Sequence, residues 1–368
     1  MKLQKISTIA AAITLGFGLL GVQAHAKETP SLQKVTIGLG SQVLNVTYPW
    51  LMMPVALGYW KQEGYDVNVI GVSGSGQALQ QMATGGLDFA QLNSINLVQA
   101  SFDNRIPVKG VMGNGVIDWG MGVPEGSQLR SIQDLKGKKI GIVSLATGGY
   151  PLLKGVLKAN GLDPDKDVQI IAVGAGAPAL DALNNDRVQA LMFWGSALVG
   201  FENAGTKLRV IKPEEWMQYP DFTLSTLDKT IQRDPKMVEA IVRGAVKATV
   251  FAMANPACVR EIHWKKFPST KPTGADEATL AKWDLALLQG QLKSMEQAFK
   301  INGAELVGNL KPEAYQKFQD FLTQEKLVKN MNGKPADYLV QDAEFFRKVN
   351  AFDKAAVIHQ AKDCKLEG

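Results

Sequence analysis

Residues 67–93 read VNVIGVSGSGQALQQMATGGLDFAQLN, and residues 168–194 read VQIIAVGAGAPALDALNNDRVQALMFW. Laid over each other with Val67 on Val168, an offset of 101 residues, the two stretches need no gap. Identical pairs are few: Val67/Val168, Ile70/Ile171, Val72/Val173, Ala78/Ala179 and Leu79/Leu180. The shared pattern carries more than the identities. Each copy runs apolar strand, small-residue turn, helix of about ten residues, polar turn, apolar strand. Short apolar strands alternating with helical patterns predict βαβ units in a mostly parallel sheet.

The flanks extend the repeat. Residues 35–64, VTIGLGSQVLNVTYPWLMMPVALGYWKQEG, resemble residues 138–161, KKIGIVSLATGGYPLLKGVLKANG, with Tyr48-Pro49 near Tyr150-Pro151. Two copies predict two α/β lobes. The glycine-rich stretch 108–139 between them opens as a strand and then crosses to the second lobe. After residues 208–226, LRVIKPEEWMQYPDFTLST, the chain is expected to cross back. From Asp228 the periodicity turns helical, as in DPKMVEAIVRGAVKATVFAMAN. The expected organisation is 1–26 as a leader, 27–119 as the first part of lobe one and 120–222 as lobe two. Residues 223–368 then return to lobe one and add a helical C-terminal region.

The ends and the composition limit the function classes. Lys2 and Lys5 precede the apolar run ISTIAAAITLGFGLLGV, and Ala24-His25-Ala26 gives a small-x-small cleavage site. This is the pattern of a secretory signal peptide, cut after Ala26, so the mature chain is expected in the periplasm. Removing Lys2 and Lys5 takes the formal charge from +5 to +3. The densest basic stretch, HWKKF, reads as a solvated helix end, so nucleic acid is not an expected partner. The two cysteines, Cys258 and Cys364, can pair in an oxidising compartment and tie the C-terminal tail to an earlier helix. The mature histidines, His263 and His359, neighbour no nucleophile and no metal-ligand cluster, which disfavours a catalytic triad or a zinc site.

The stretches VTIGLG, PVALGYWKQEGYDVNVIGVSGSGQALQQMATGGLDFA, SIQDLKGKKIGI and DVQIIAVGAGAPALDALNNDRVQALMFW together resemble the periplasmic solute-binding proteins of ABC importers. The group includes sulfonate-, taurine- and nitrate-binding proteins and thiamine-pyrimidine-binding relatives. The resemblance covers roughly residues 35–202; the C-terminal third fits only generically. It implies a two-lobed type II periplasmic binding fold, monomeric and without cofactor or metal. Such a protein closes on a small molecule and delivers it to an inner-membrane ABC permease. Relatives that are enzymes rely on a cysteine-rich motif that this chain lacks, so an enzyme is not expected. A periplasmic sensor that docks a receptor is the alternative from another class.

In open α/β sheets ligands bind beyond the carboxyl ends of the strands. The loops there are residues 41–50, 73–76 and 93–94 in the first copy, and 144–150, 174–177 and 194–196 in the second. Candidate ligand contacts are the turn Ser73-Gly74-Ser75-Gly76 and its counterpart Thr147-Gly148-Gly149-Tyr150. Both offer amides and hydroxyls at helix starts, with no Arg or Lys. Asn93 and Ser94 match Trp194 and Gly195 in the copy, and Gly174, Ala175 and Gly176 let backbone approach a ligand. Tyr48, Trp50, Trp119 and Tyr150 fall in loops expected to face the cleft and supply stacking surfaces. These features point to an anionic head on an apolar or aromatic body, such as a sulfonate or aromatic carboxylate. A neutral thiamine-precursor pyrimidine is the second choice.

Overall fold

The computed structural model describes residues 31–330 and 332–364. The signal-peptide reading and the cleavage after Ala26 lie outside the described residues. The chain starts with β1 (Gln33–Leu39), α1 (Pro49–Ala56), α2 (Tyr59–Gln62) and β2 (Tyr65–Gly71). It continues through α3 (Ser75–Ala83), β3 (Phe89–Leu92), α4 (Ser94–Phe102) and β4 (Val108–Val116). Residues 117–119 lead to β5 (Gly120–Pro124), β6 (Lys139–Ile142), α5 (Gly149–Ala159) and β7 (Gln169–Ala172). Then come α6 (Ala177–Asn184), β8 (Ala190–Phe193), α7 (Gly195–Asn203) and β9 (Leu208–Ile211).

Residues 212–219 lead back to β10 (Pro220–Leu227). The rest is helical: α8 (Asp228–Arg233), α9 (Pro235–Ala254), α10 (Pro256–Lys266), α11 (Glu277–Ile301), α12 (Pro312–Gln324), α13 (Ala343–Val349) and α14 (Lys354–Asp363).

The strands build two five-stranded sheets, ordered β2-β1-β3-β10-β4 and β7-β6-β8-β5-β9. Each has one antiparallel strand, β10 in the first and β5 in the second, and the remaining four are parallel. Both antiparallel strands are the first elements laid down after the chain crosses from the other lobe. The offset of 101 survives in three dimensions: it carries β3 and α4 onto β8 and α7 with the same boundaries. This is the two-lobed mixed α/β architecture expected from the repeat.

Strand composition explains the placement. The strand β3 (FAQL) and its copy β8 (ALMF) are buried at every residue, because helices cover both faces of each sheet. Buried Val35, Ile37 and Leu39 of β1 join Phe89 and Leu92 in the core of lobe one. Trp60 of α2 donates its Nε1–H to the Ile241 carbonyl of α9 at 2.9 Å, which fixes the C-terminal helices to lobe one.

Helix α11 touches both lobes. The Val116 amide donates to its Ser294 Oγ at 3.2 Å, and Asn203 Nδ2 of α7 donates to its Trp283 carbonyl at 3.3 Å. The HWKKF stretch differs from expectation: His263 and Trp264 are buried, and only the lysines face solvent. Trp264 is drawn inward by Asp284, which accepts its Nε1–H at 2.7 Å.

Cys258 and Cys364 are joined, with Cα atoms 5.4 Å apart, so α14 is bound to α10. The bridge closes a separation of 106 residues. In the chain-entropy account a loop of that size contributes about 4–5 kcal/mol. Cys364→Ser is therefore expected to lower the unfolding free energy by about 2–4 kcal/mol in denaturant titration. A stability unchanged by the substitution and by reductant contradicts this role.

Candidate functional site

The lobes meet along two seams related by the internal repeat, and the seams differ. At the first seam the 144–149 loop of lobe two lies on the α3 and α4 starts of lobe one. Ser144 Oγ donates to the Ser73 carbonyl at 2.6 Å, and the Gly76 amide donates to the Ala146 carbonyl at 3.0 Å. The Gly148 amide donates to Asn93 Oδ1 at 3.2 Å. The approach is close enough to demand glycine. A Cβ at Gly74 would stand 2.7 Å from the Ala146 carbonyl, and one at Gly149 would enter the Trp119 ring.

Behind this contact lies a buried polar network. Ser75 Oγ donates to Asn93 Oδ1 and accepts from the Asn93 amide, both at 2.9 Å. Asp221 then gathers three donors: Asn93 Nδ2 at 2.9 Å, the Ser94 amide at 2.9 Å and Trp119 Nε1 at 3.3 Å. Its carboxylate faces the start of α4, where the helix amides favour negative charge. Burial still pushes its pKa up to about 6, with these donors holding it down. The next residue, Phe222, has φ of +34°, a costly backbone for an aromatic residue.

At the second seam the equivalent space is a cavity of about 270 Å³. Lobe one contributes Val43, Asn45, Thr47 and Tyr48 from the loop after β1. Asn45 Oδ1 accepts from the Thr47 amide at 3.1 Å and from Thr47 Oγ1 at 2.6 Å, so the loop is braced by its own side chains. Lobe two contributes Ala175, Gly176 and Ala177 at the start of α6, and Trp194, Ser196 and Phe201 at α7; α11 adds Leu287. Phe193 and Leu180 complete an apolar wall, and no lining residue is Arg, Lys or His. Trp194 packs edge-on against Trp119 at 5.6 Å.

Ser196 Oγ is buried and has no hydrogen-bond partner among the described residues. An unpartnered buried hydroxyl is costly and points to an absent partner. It stands in the first turn of α7, where the Ala197 and Leu198 amides donate to the Trp194 carbonyl and the Gly195 amide faces Asp118.

The two seams share one further feature. Thr223 pairs with Leu92 and Gly120 pairs with Phe193, and 92 and 193 differ by the repeat offset. Counting back two residues from each makes Asp221 and Asp118 equivalent. Asp221 faces the Ser94 amide; Asp118 faces the Gly195 amide, one offset later. Burial first, and then Asp221, push the Asp118 pKa up to about 7, against Lys212 and the Gly195 amide. Burial likewise pushes Tyr48 up to about 12, against bonds from Ser41 and Thr47.

The predicted site residues therefore fall into groups. Tyr48, Ala175, Gly176 and Trp194 line the cavity. Ser73, Gly74, Ser75, Asn93, Trp119, Gly148 and Gly149 build the first seam, where protein groups occupy one another. Ser94 is tied to Asp221 and, through its hydroxyl, to Thr223 at 2.9 Å. Thr147 and Tyr150 line a separate groove beside Lys154 and Lys158. Trp50 is not in a loop: it is buried in α1 and donates to Gln91 Oε1 at 2.9 Å. Ser196 was within the quoted loop 194–196 but was not singled out; Asp118, Asp221 and Leu287 gave no local signal.

The two sheets, each with one antiparallel strand returned from the other lobe and a cavity at the seam, define a periplasmic-binding-protein fold. The chain belongs to the NMT1/THI5-like family, whose model matches residues 50–258, more than half its length. A comparison with curated protein sequences gave no significant match. Among solved structures it is similar to a Bordetella bronchiseptica protein at 20% identity, covering 87% of this chain and 98% of that one, with a TM-score of 0.69. The alkanesulfonate-binding protein SsuA from Xanthomonas axonopodis matches at 15% identity, 83% and 98% coverage and a TM-score of 0.59. The periplasmic aliphatic sulphonate-binding protein SsuA from Escherichia coli matches at 16% identity, 85% and 94% coverage and 0.56. At these identities the likeness is one of fold.

Two outcomes follow from this geometry. Gly74→Val should force the first seam apart and enlarge the radius of gyration measured by small-angle scattering. An unchanged radius with normal melting would show that the seam is not tight. For Asp118 the raised pKa means that the folded chain holds the proton and that ionisation costs stability above about pH 7. That cost fades as pH falls towards the ordinary carboxylate value. Asp118→Asn should thus be relatively more stable than the parent at pH 8 than at pH 5, by about 2–3 kcal/mol. A mutant-to-parent difference that does not vary with pH excludes the buried titration.

Proposed function

We propose that the chain is the solute-binding component of an ABC importer. It would act as a monomer in the periplasm, capturing a small organic solute between its lobes and handing it unchanged to a membrane permease. The observation that carries this reading is the second seam. It holds a mainly apolar cavity lined from both lobes by Tyr48 and Trp194, with Ser196, whose buried hydroxyl is unpartnered, among the lining residues. A pocket built from two lobes couples occupancy to their closure, which is how hinged binding proteins signal loading. The family match and the sulfonate-binding structural neighbours support the same role.

The solute's body is apolar or aromatic. Phe193, Trp194, Phe201, Leu180 and Leu287 form most of the wall, and ring contacts in such a space add to area burial. The head is a hydrogen-bonding group that engages Ser196. The sequence-based expectation of an anionic head rested on glycine turns that now form the first seam, so the charge of the head must be read from the cavity.

The test is native mass spectrometry of exported protein, followed by a thermal-shift panel of sulfonates, carboxylates, amides and pyrimidines on the dialysed chain. We expect at least one class to raise the melting temperature. Trp194→Ala should weaken that binding roughly tenfold or more, in line with an aromatic anchor in a closed pocket. A panel with no effect, together with no co-purified small molecule, rejects the solute-binding reading.

A further inference from the structure

We infer that Asp118 sets the charge selectivity of the cavity: the site admits solutes with an uncharged polar head and disfavours anions. This rests on the solute-binding reading and specifies its substrate class. The first ground is the repeat. Asp221 and Asp118 hold equivalent places, each at the head of a helix. In lobe one the carboxylate is saturated by Asn93, Ser94 and Trp119. In lobe two the Gly195 amide takes the place of the Ser94 amide, but Trp194 stands where Asn93 does and its side chain makes no hydrogen bond to Asp118 among the described residues. Above about pH 7, where Asp118 ionises, the start of α7 therefore already carries a negative charge, held at the Gly195 amide between the lining residues Trp194 and Ser196.

The second ground is the lining. Among the described residues that line the cavity there is no cation to neutralise a sulfonate or carboxylate. Lys212 is the cation that acts on Asp118, and it is not among the lining residues. An anion entering here would lose its water and meet a like charge nearby in a medium of low dielectric, an unfavourable combination.

The third ground is Ser196. Its Oγ is buried and unpartnered, the residue lines the cavity, and a hydroxyl can either donate or accept a hydrogen bond. As a donor it suits a carbonyl or amide oxygen, which brings no net charge.

Matched pairs test the inference: benzamide against benzoate, and benzenesulfonamide against benzenesulfonate, titrated calorimetrically into the dialysed full chain at pH 8. The amide of each pair should bind roughly tenfold tighter, the scale of one nearby like charge. Asp118→Asn should shrink that ratio by improving the acids. Ser196→Ala should weaken the amides with the far-UV spectrum unchanged. Tighter binding of either acid, equal binding within pairs, or a ratio unaltered in Asp118→Asn overturns the charge filter. If other solutes in the broad panel bind but none of these four does, the charge filter as stated here is rejected and the solute-binding reading stands.

Discussion

The arrangement of the two lobes depends on one buried carboxylate. Asp221 collects donors from Asn93, from the α4 start and from Trp119, which stands at the crossing between the lobes. Through Asn93 the same network reaches the Gly148 amide of lobe two. Such a group is costly unless fully satisfied, and losing one donor leaves charge unpaired in the interior. The network therefore specifies one relative placement of the lobes, and that placement shapes the space at the other seam.

The repeat explains why one seam is filled and the other hollow. Position for position, Ser75 corresponds to Gly176, Asn93 to Trp194 and Ser94 to Gly195. The small polar residues in lobe one let the opposing loop come into hydrogen-bonding contact. In lobe two an indole replaces the asparagine, and no polar side chain reaches out to bind the loop facing it. Trp194 leans on Trp119 and Phe193 and keeps the 43–48 loop at a distance. A duplicated scaffold thus becomes a lock on one side and a pocket on the other through three substitutions at the strand ends.

Much of the fold was legible. Period and spacing located the strands β3 and β8 and the helices α3 and α6, because buried strands and amphipathic helices leave a local pattern. The helices α9, α11 and α12 were equally readable. The site was only half legible. Tyr48, Ala175, Gly176 and Trp194 follow strand ends, so topology placed them near the cleft.

What no local pattern reveals is which loop faces which. That decided the fate of Ser73, Gly74, Gly148 and Gly149, which meet protein groups across the first seam. The pairing of Asp118 with Asp221 was hidden for the same reason. Both belong to strands that return from the opposite lobe, so their equivalence appears only in the sheet register. Trp50 was misplaced because Pro49 starts a helix there, as proline does at a first helical position.

The central claim is that a solute occupies the second seam and leaves the first unchanged. Hydrogen–deuterium exchange of the full chain, with and without the solute recovered by native mass spectrometry, measures this directly. The account predicts that added protection is concentrated in residues 43–48, 175–180 and 194–204. Protection centred instead on residues 73–76 and 144–150, with none at 194–204, would contradict it.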